Sequence, residues 1–253
     1  MPAPSSRQIF HSAWRGSRTI FHGAPKLVLI ALSIDVILSA LTPDEKPDAW
    51  TAKPVRLLVE AMSTFLLIPT SLAFYRLLIL GEPPSPYASY FTGGRFRRYL
   101  AWTAALWLLM RLVDLFSPAG VVRAGLLIGG AAVAFCIAIR LVLLFPALAA
   151  GPEDVTVKDA WHDTRGRFWL IVWLSLAVLI PVVVIGVLMF SVIWQLNLSD
   201  NAALSFWPAA VRALIDGVFL LLVDVVTIAL TAQLFIWFGQ RVKPTEVAEM
   251  YSL

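Results

Sequence analysis

Residues 139–170, IRLVLLFPALAAGPEDVTVKDAWHDTRGRFWL, join two strongly apolar segments through a short polar connection. The first segment carries Arg140 within its apolar run and then Pro146, which favours the end of a helix. Thr156 and Asp159 have the spacing of a helix capping box, which predicts a short helix after the connection. An apolar run, a short polar helix and a second apolar run together indicate a polytopic helical membrane protein.

The predicted short helix is amphipathic. One face, at helical spacing, carries Val157, Ala160, Trp161 and Thr164. The other face is expected to carry Lys158, His162 and Asp163. We expect the helix to lie in the membrane interface with Trp161 at headgroup level. The chain then turns back into the membrane through Arg165, Gly166 and Arg167.

The composition excludes a soluble protein of ordinary make-up. Of 253 residues, 59% are hydrophobic and only 14% are charged, whereas soluble domains carry about 25% charged residues. The net charge of +4 is spread over the connections between apolar runs, which favours lipid headgroups as partners and argues against nucleic acid. No cofactor motif is present, and the single Cys136 excludes an intramolecular disulfide.

The apolar runs predict an all-α fold with six transmembrane helices and amphipathic interfacial helices. The expected spans are residues 25–42, 56–80, 99–117, 121–147, 168–196 and 209–238. They follow a basic amphipathic interfacial segment, residues 1–24, and form a transmembrane domain over residues 25–238. Residues 239–253 are expected to be a cytoplasmic tail.

The distribution of basic residues predicts the orientation. Most Lys and Arg residues outside the spans fall in the N-terminal segment, the second and fourth connections and the C-terminal tail. The positive-inside rule therefore places both termini in the cytoplasm. Residues 92–96 and 164–168 share the pattern T-x-G-R-F before a span, which suggests three repeated helical hairpins. Basic, glycine and aromatic residues also recur at unrelated span entrances, so both interpretations stay open.

Charged residues within the predicted spans are the main candidates for a functional site, because each costs a few kcal/mol in lipid unless it is paired or hydrated. They are Asp35, Glu60, Arg76, Arg111, Asp114, Arg140, Asp216 and Asp224. We expect Arg111 to pair with Asp114 or Glu60, and the two other arginines to pair with Asp35 or Asp224. Such charges could fix helix register, line a water-accessible cavity for a substrate or proton, or contact a partner subunit or headgroups.

Two further patterns bear on packing and catalysis. Gly125, Gly129 and Gly130 have a small-residue spacing that allows close helix packing within the chain or between copies. The three histidines lack metal-ligand spacing, and no P-loop, G-x-S-x-G or H-E-x-x-H motif occurs. The sequence therefore predicts neither a metal site nor an enzyme.

The run from Arg140 to Pro146-Ala147, followed by Ala160-Trp161 and Thr164-Arg165-Gly166-Arg167, resembles a family of bacterial inner-membrane proteins. That family is similar to the membrane domain found beside glycerophosphodiester phosphodiesterases. The resemblance implies a six-helix bundle in the bacterial inner membrane. The chain has no appended phosphodiesterase domain, so the resemblance implies no hydrolase activity.

Two functions are compatible with these observations. The absence of catalytic motifs favours a non-enzymatic scaffold or an accessory subunit that contacts other membrane-protein subunits. The alternative is a small transporter or lipid-handling protein that uses the Asp and Arg residues within its spans.

Overall fold

The structure, a computed structural model, describes residues 5–42, 52–116, 121–152, 155–195 and 206–239. These residues form nine α-helices and one 3-10 turn, Tyr87–Thr92, and no strand. The helices are α1 Ser6–Gly23, α2 Pro25–Leu41, α3 Ala52–Leu80, α4 Gly94–Phe116, α5 Val121–Arg140, α6 Leu144–Ala150, α7 Val157–Asp163, α8 Phe168–Gln195 and α9 Phe206–Phe238. The all-α prediction is confirmed. The predicted C-terminal tail lies outside the described residues.

In the described part of the chain, four segments are long and apolar enough to cross a membrane. They are Pro54–Leu80, Ala132–Ala150, Phe168–Ser191 and Ala210–Phe238. The pair α1 and α2 adds a fifth if it is counted as one span with a bend of 96°. These helices suggest a multi-pass membrane protein. Six spans and a threefold hairpin repeat are not confirmed, and both stay predictions.

The basic amphipathic segment at the N-terminus is helical. The side chain of Ser5 caps α1 in a reciprocal capping box with Gln8. One face of α1 is buried and consists of Ile9, Ala13, Gly16, Ser17 and Ile20. Arg7, Arg15 and Arg18 lie exposed on the other face. Pro25 is the first residue of α2, where the N–H that proline lacks would have no partner within the helix. The chain bends by 96° between α1 and α2.

The helix expected over residues 121–147 is interrupted. Residues 141–143 form a turn between α5 and α6, so the break precedes Pro146 and does not coincide with it. Proline cannot donate a backbone hydrogen bond to the residue four positions earlier, and its ring collides with that residue's carbonyl. The helix therefore ends before the turn and restarts with Pro146 in the first turn of α6.

The helix α9 forms the centre of the bundle and packs against α1, α2, α3, α6 and α8. Close approach to α9 occurs at Gly16 of α1, where an added Cβ would lie 3.3 Å from Cβ of Ala229. It also occurs at Gly217 of α9 itself, where an added Cβ would lie 3.0 Å from the backbone nitrogen of Val36. Glycine at these two positions therefore allows α1 and α2 to pack tightly on α9.

Close packing at Gly129 is not found among the described residues of this chain, and packing between copies stays a prediction. Gly129 is exposed, and a Cβ added there would meet no atom of the described chain within 4 Å. Gly130 is partly buried, whereas the side-chain environment of Gly125 lies outside the described residues. Tight contacts at described glycines lie elsewhere, for example at Gly16 of α1, Gly186 of α8 and Gly217 of α9.

The connection between α3 and α4 is held by aromatic side chains. The hydroxyl of Tyr87 donates a hydrogen bond of 2.5 Å to the carbonyl oxygen of Leu66. The ring of Phe91 packs against Tyr87 and against Phe65 of α3. Burial raises the pKa of Tyr87 above its usual value, because the ionised phenol would lose hydration there.

Candidate functional site

The strongest candidate is a cavity of about 840 Å³ at one end of the bundle, which we call the charged cavity. It lies where α2, α4 and α8 approach their C-terminal ends and where α3 and α9 begin. Its polar lining consists of Asp35, Ser39, Thr42, Arg56, Glu60, Ser63, Thr64, Arg111, Arg212 and Asp216. Its apolar lining includes Leu38, Val59, Trp107, Phe190, Ala213, Phe219 and Leu220. Antiparallel packing brings these distant segments together.

Glu60 is the hub of the first charged group in the cavity. Its Oε1 accepts a hydrogen bond of 3.2 Å from Nε of Arg56, one helical turn earlier on α3. Its Oε2 accepts a hydrogen bond from Nη2 of Arg111 on α4. The pairing of Arg111 with Glu60 is one of the two that the sequence predicted. Each guanidinium carries five N–H donors, so each can bind a further anionic group while it holds the carboxylate.

Asp216 is the hub of the second charged group. Its Oδ2 accepts a hydrogen bond of 3.1 Å from the hydroxyl of Ser39 on α2 and lies 4.0 Å from Nε of Arg212. The neighbouring Gly217 lies close to α2, since an added Cβ there would be 3.0 Å from the backbone nitrogen of Val36. The glycine therefore brings the Ser39 hydroxyl within reach of Asp216.

Asp35 differs from the other carboxylates of the cavity because it is only 2% exposed. Its Oδ2 is buried and accepts no hydrogen bond from the residues that the structure describes. The charged group that acts on it is another carboxyl, that of Asp224 on α9. A buried acceptor without a donor costs free energy, and two carboxylates without a cation repel each other. Asp35 is therefore a buried carboxyl in the wall of the cavity with one unsatisfied oxygen.

Asp224 lies deeper along α9, beside a buried hydroxyl cluster. The hydroxyls of Tyr75 and Thr231 are 2.7 Å apart, and Tyr99 lies beside Tyr75. The charge of Asp224 acts on both tyrosines. Asp224 is nevertheless exposed in this chain. Polar groups thus extend from the wall of the cavity into the middle of the bundle.

One side of the cavity is bounded by apolar side chains that also lie on the outer surface of the bundle. Phe190 of α8 is 43% exposed, and Leu220 of α9 is 46% exposed. Phe219 packs edge to face on Phe190, and its ring occupies the space that a side chain at Gly186 would need. Exposed apolar residues on a membrane bundle contact lipid tails. The cavity therefore has charged walls and an apolar rim at lipid level.

The structure distributes the predicted charged residues over three places. Asp35, Glu60, Arg111 and Asp216 meet in the charged cavity, with Asp224 behind them. Arg76 does not pair with Asp35 or Asp224, because Nε and Nη2 of Arg76 bind Oε2 of Glu82 at 2.8 and 2.5 Å. The side chain of Asp114 lies outside the described residues. Arg56 and Arg212 were not among the candidates, although both lie at the start of predicted spans.

Arg140 and the interfacial motif form a separate cluster at the other end of the bundle. Nη1 of Arg140 donates a hydrogen bond of 3.2 Å to the carbonyl oxygen of Thr164, whose hydroxyl lies 3.2 Å from the Arg140 carbonyl oxygen. The guanidinium lies 5.4 Å from the ring centres of Trp161 and Phe168. The expected pairing of Arg140 with an aspartate is wrong, since backbone and aromatic groups stabilise its charge instead.

The remaining motif residues support this cluster. The predicted capping box of α7 is confirmed, because the side chain of Thr156 accepts from the Asp159 amide and Asp159 accepts from the Thr156 amide. Gly166 has a φ of +80°, which favours glycine in the turn into α8. Ala160 is buried, Arg165 is exposed, and Arg167 lies 4.8 Å from the ring centre of Phe238. Asp163 is buried, so its predicted exposed position is wrong. The contacts of Arg140 with Trp161, Thr164 and Phe168 therefore hold α5, α7 and α8 together.

Among the residues that the structure describes, no group of three or more His, Cys, Asp or Glu side chains could hold a metal ion. Comparison with known proteins finds no matching family model, no matching curated protein and no matching solved structure. The functional argument therefore rests on the chain's own geometry, and the charged cavity is the feature on which it depends.

Proposed function

We propose that this chain is an integral membrane protein that binds the headgroup of a membrane amphiphile in the charged cavity. The observation that supports this function is a cavity of about 840 Å³ whose charged walls adjoin lipid-exposed apolar side chains. Ligand sites of this kind span about 300–1,000 Å³. A headgroup would bind to the arginines and carboxylates while its acyl chains remain against Phe190 and Leu220.

The charges of the cavity are arranged for binding as well as for stability. Arg56 and Arg111 share one carboxylate, that of Glu60, at partly exposed positions. Ion pairs that only fixed the register of the helices would not require a cavity of this size beside them. The ion pairs keep the arginines in place before a ligand arrives, which lowers the entropic cost of binding.

The orientation is part of the same proposal. The distribution of Lys and Arg residues supports cytoplasmic termini, and the resemblance suggests a bacterial inner membrane. The charged cavity would then open towards the opposite, outer leaflet. The scaffold or accessory-subunit function stays a prediction, because no contact in the described residues favours it over lipid binding.

A variant that fills the cavity tests this proposal. Ser63 lines the cavity on α3, and Ser63→Trp would place an indole among its charged residues. Ser33→Trp is the matched control, because Ser33 is exposed on α2 outside the cavity lining. Purified protein would be freed of lipid, mixed with defined phospholipids and analysed by native mass spectrometry. We expect Ser63→Trp to lose bound phospholipid at least about tenfold, a change of about 1.4 kcal/mol.

Two outcomes would contradict this function. Equal lipid retention by Ser63→Trp and wild type would show that bound lipid lies elsewhere. Equal loss in Ser63→Trp and Ser33→Trp would show that the added indole acts through the bundle as a whole and not through the cavity. Size-exclusion chromatography of all three proteins would show that each remains folded.

A further inference from the structure

We infer that the charged cavity selects amphiphiles whose headgroup is a zwitterion with a primary ammonium group, and that Asp35 binds this ammonium. The inference rests on the proposed function and names the ligand class of the same site. It starts from the difference between the carboxylates of the cavity. Glu60 and Asp216 are held by guanidinium groups or a hydroxyl, whereas Oδ2 of Asp35 has no donor among the described residues.

The surroundings of Asp35 favour a positive group from the ligand. Asp35 lies in the cavity wall and is only 2% exposed, so water can hydrate its carboxyl group only to a small extent. The charge that acts on it is that of Asp224, which makes this part of the wall more negative. A primary ammonium carries a positive charge and three donors. It would supply the hydrogen-bond donor and the positive countercharge that the Asp35 carboxyl lacks.

The other half of the headgroup follows from the arginines on α3 and α4 that line the same cavity. Arg56 and Arg111 lie on α3 and α4 and are partly exposed to the cavity. Guanidinium groups bind phosphate through paired N–H donors. A headgroup with a phosphate and an ammonium would therefore contact α3 and α4 at one end and Asp35 of α2 at the other. Its tails would leave the cavity beside the lipid-exposed Leu220.

The test compares lipids that share acyl chains and differ in headgroup. Wild-type protein, freed of lipid, would be titrated in native mass spectrometry with phosphatidylethanolamine and with phosphatidylglycerol, which lacks an ammonium. We expect phosphatidylethanolamine to bind about tenfold more tightly. Asp35→Asn should remove this preference, because it weakens the binding of phosphatidylethanolamine. Asp159→Asn, on α7 outside the cavity, is the matched control and should keep the preference.

Each outcome decides the inference. If wild type binds the two lipids equally and Ser63→Trp abolishes both, the proposed function stands and the ammonium site is wrong. If neither lipid binds, the proposed function fails as well. If Asp35→Asn keeps the preference, Asp35 does not bind the ammonium and the inference is wrong. If Asp35→Asn does not fold, the wild-type preference alone decides.

A last arm separates two sources of the same headgroup. Water-soluble glycerophosphoethanolamine carries the ammonium and the phosphate without acyl chains. We expect it to compete with phosphatidylethanolamine only at concentrations at least about a hundredfold higher, because it loses the apolar contacts at the rim. Competition at equal concentration would overturn the assignment of a lipid ligand.

Discussion

Replacing Gly217 by alanine is expected to push α2 away from α9. A Cβ at this position would lie 3.0 Å from the backbone nitrogen of Val36, 3.2 Å from its Cα and 2.6 Å from its Cγ2. Ordinary contact begins at 3.4 Å. The Val36 methyl group can rotate, but the backbone atoms cannot, so the two helices must separate by about 0.4 Å or more.

The cost of this separation can be estimated with a second glycine as reference. Overpacking of a tight interface costs about 1–3 kcal/mol, whereas alanine in place of a helical glycine gains about 1 kcal/mol from helix propensity. Gly129→Ala on α5 should show only the gain, because its Cβ would meet no described atom within 4 Å. The difference between the two variants therefore isolates the steric cost, and we expect about 2 kcal/mol.

The measurement is thermal unfolding of both variants in the same detergent, followed by tryptophan fluorescence. For a chain of this size, about 2 kcal/mol corresponds to a Tm difference of about 4–8 °C. We expect Gly217→Ala to unfold at the lower temperature. The reasoning is refuted if Gly217→Ala is as stable as Gly129→Ala, since α2 and α9 would then have room for the methyl group.

Two further predictions concern the other end of the bundle. Arg140→Lys should lower the free energy of unfolding by about 1–2 kcal/mol, because lysine cannot stack on the rings or form the same hydrogen bonds as arginine. Arg165→Lys, at an exposed position, is the control. Equal Tm values for the two variants would contradict this role of Arg140. The raised pKa of Tyr87 predicts how this residue's contribution to the free energy of unfolding depends on pH. The contribution is constant below the pKa of the unfolded phenol, near 10, and falls as the pH rises above it, because the unfolded phenol ionises first. Tyr87→Phe should be less stable than wild type at neutral pH, because it lacks the hydrogen bond to the carbonyl oxygen of Leu66. Between neutral and alkaline pH it should lose less stability than wild type does. Chemical denaturation at both pH values measures this difference.

Local patterns were predicted well where the interacting residues are close in sequence. The capping box of Thr156 and Asp159 depends on three-residue spacing and on backbone groups of the same turn. The amphipathic α1 follows from helical periodicity in the same way. The partner of Arg111 was also among the predicted ones, because few acidic residues occur at its depth.

Contacts between distant helices were predicted poorly. Gly129 belongs to a small-residue pattern, and so does Gly217, which follows Ala209 and Ala213 at four-residue spacing. Of the two glycines, only Gly217 makes a tight contact with the described residues. Spacing shows which residues share a helix face, but not which neighbour that face meets. The same limit applies to Arg140, because its carbonyl and aromatic partners are 21 to 28 positions away in the chain.

The stretch from Arg140 to Phe168 shows where the division lies. Its apolar runs, the short capped helix and the turn at Gly166 follow from composition and from interactions within a few residues, and the sequence determined them. Only the tertiary structure decided that Arg140 binds Thr164, and that Asp35, Glu60, Arg111 and Asp216 share one cavity. Hydrophobicity selects the helices that enter a membrane without selecting their neighbours. Close packing and charge pairing between helices make that second choice, and they depend on residues far apart in the chain.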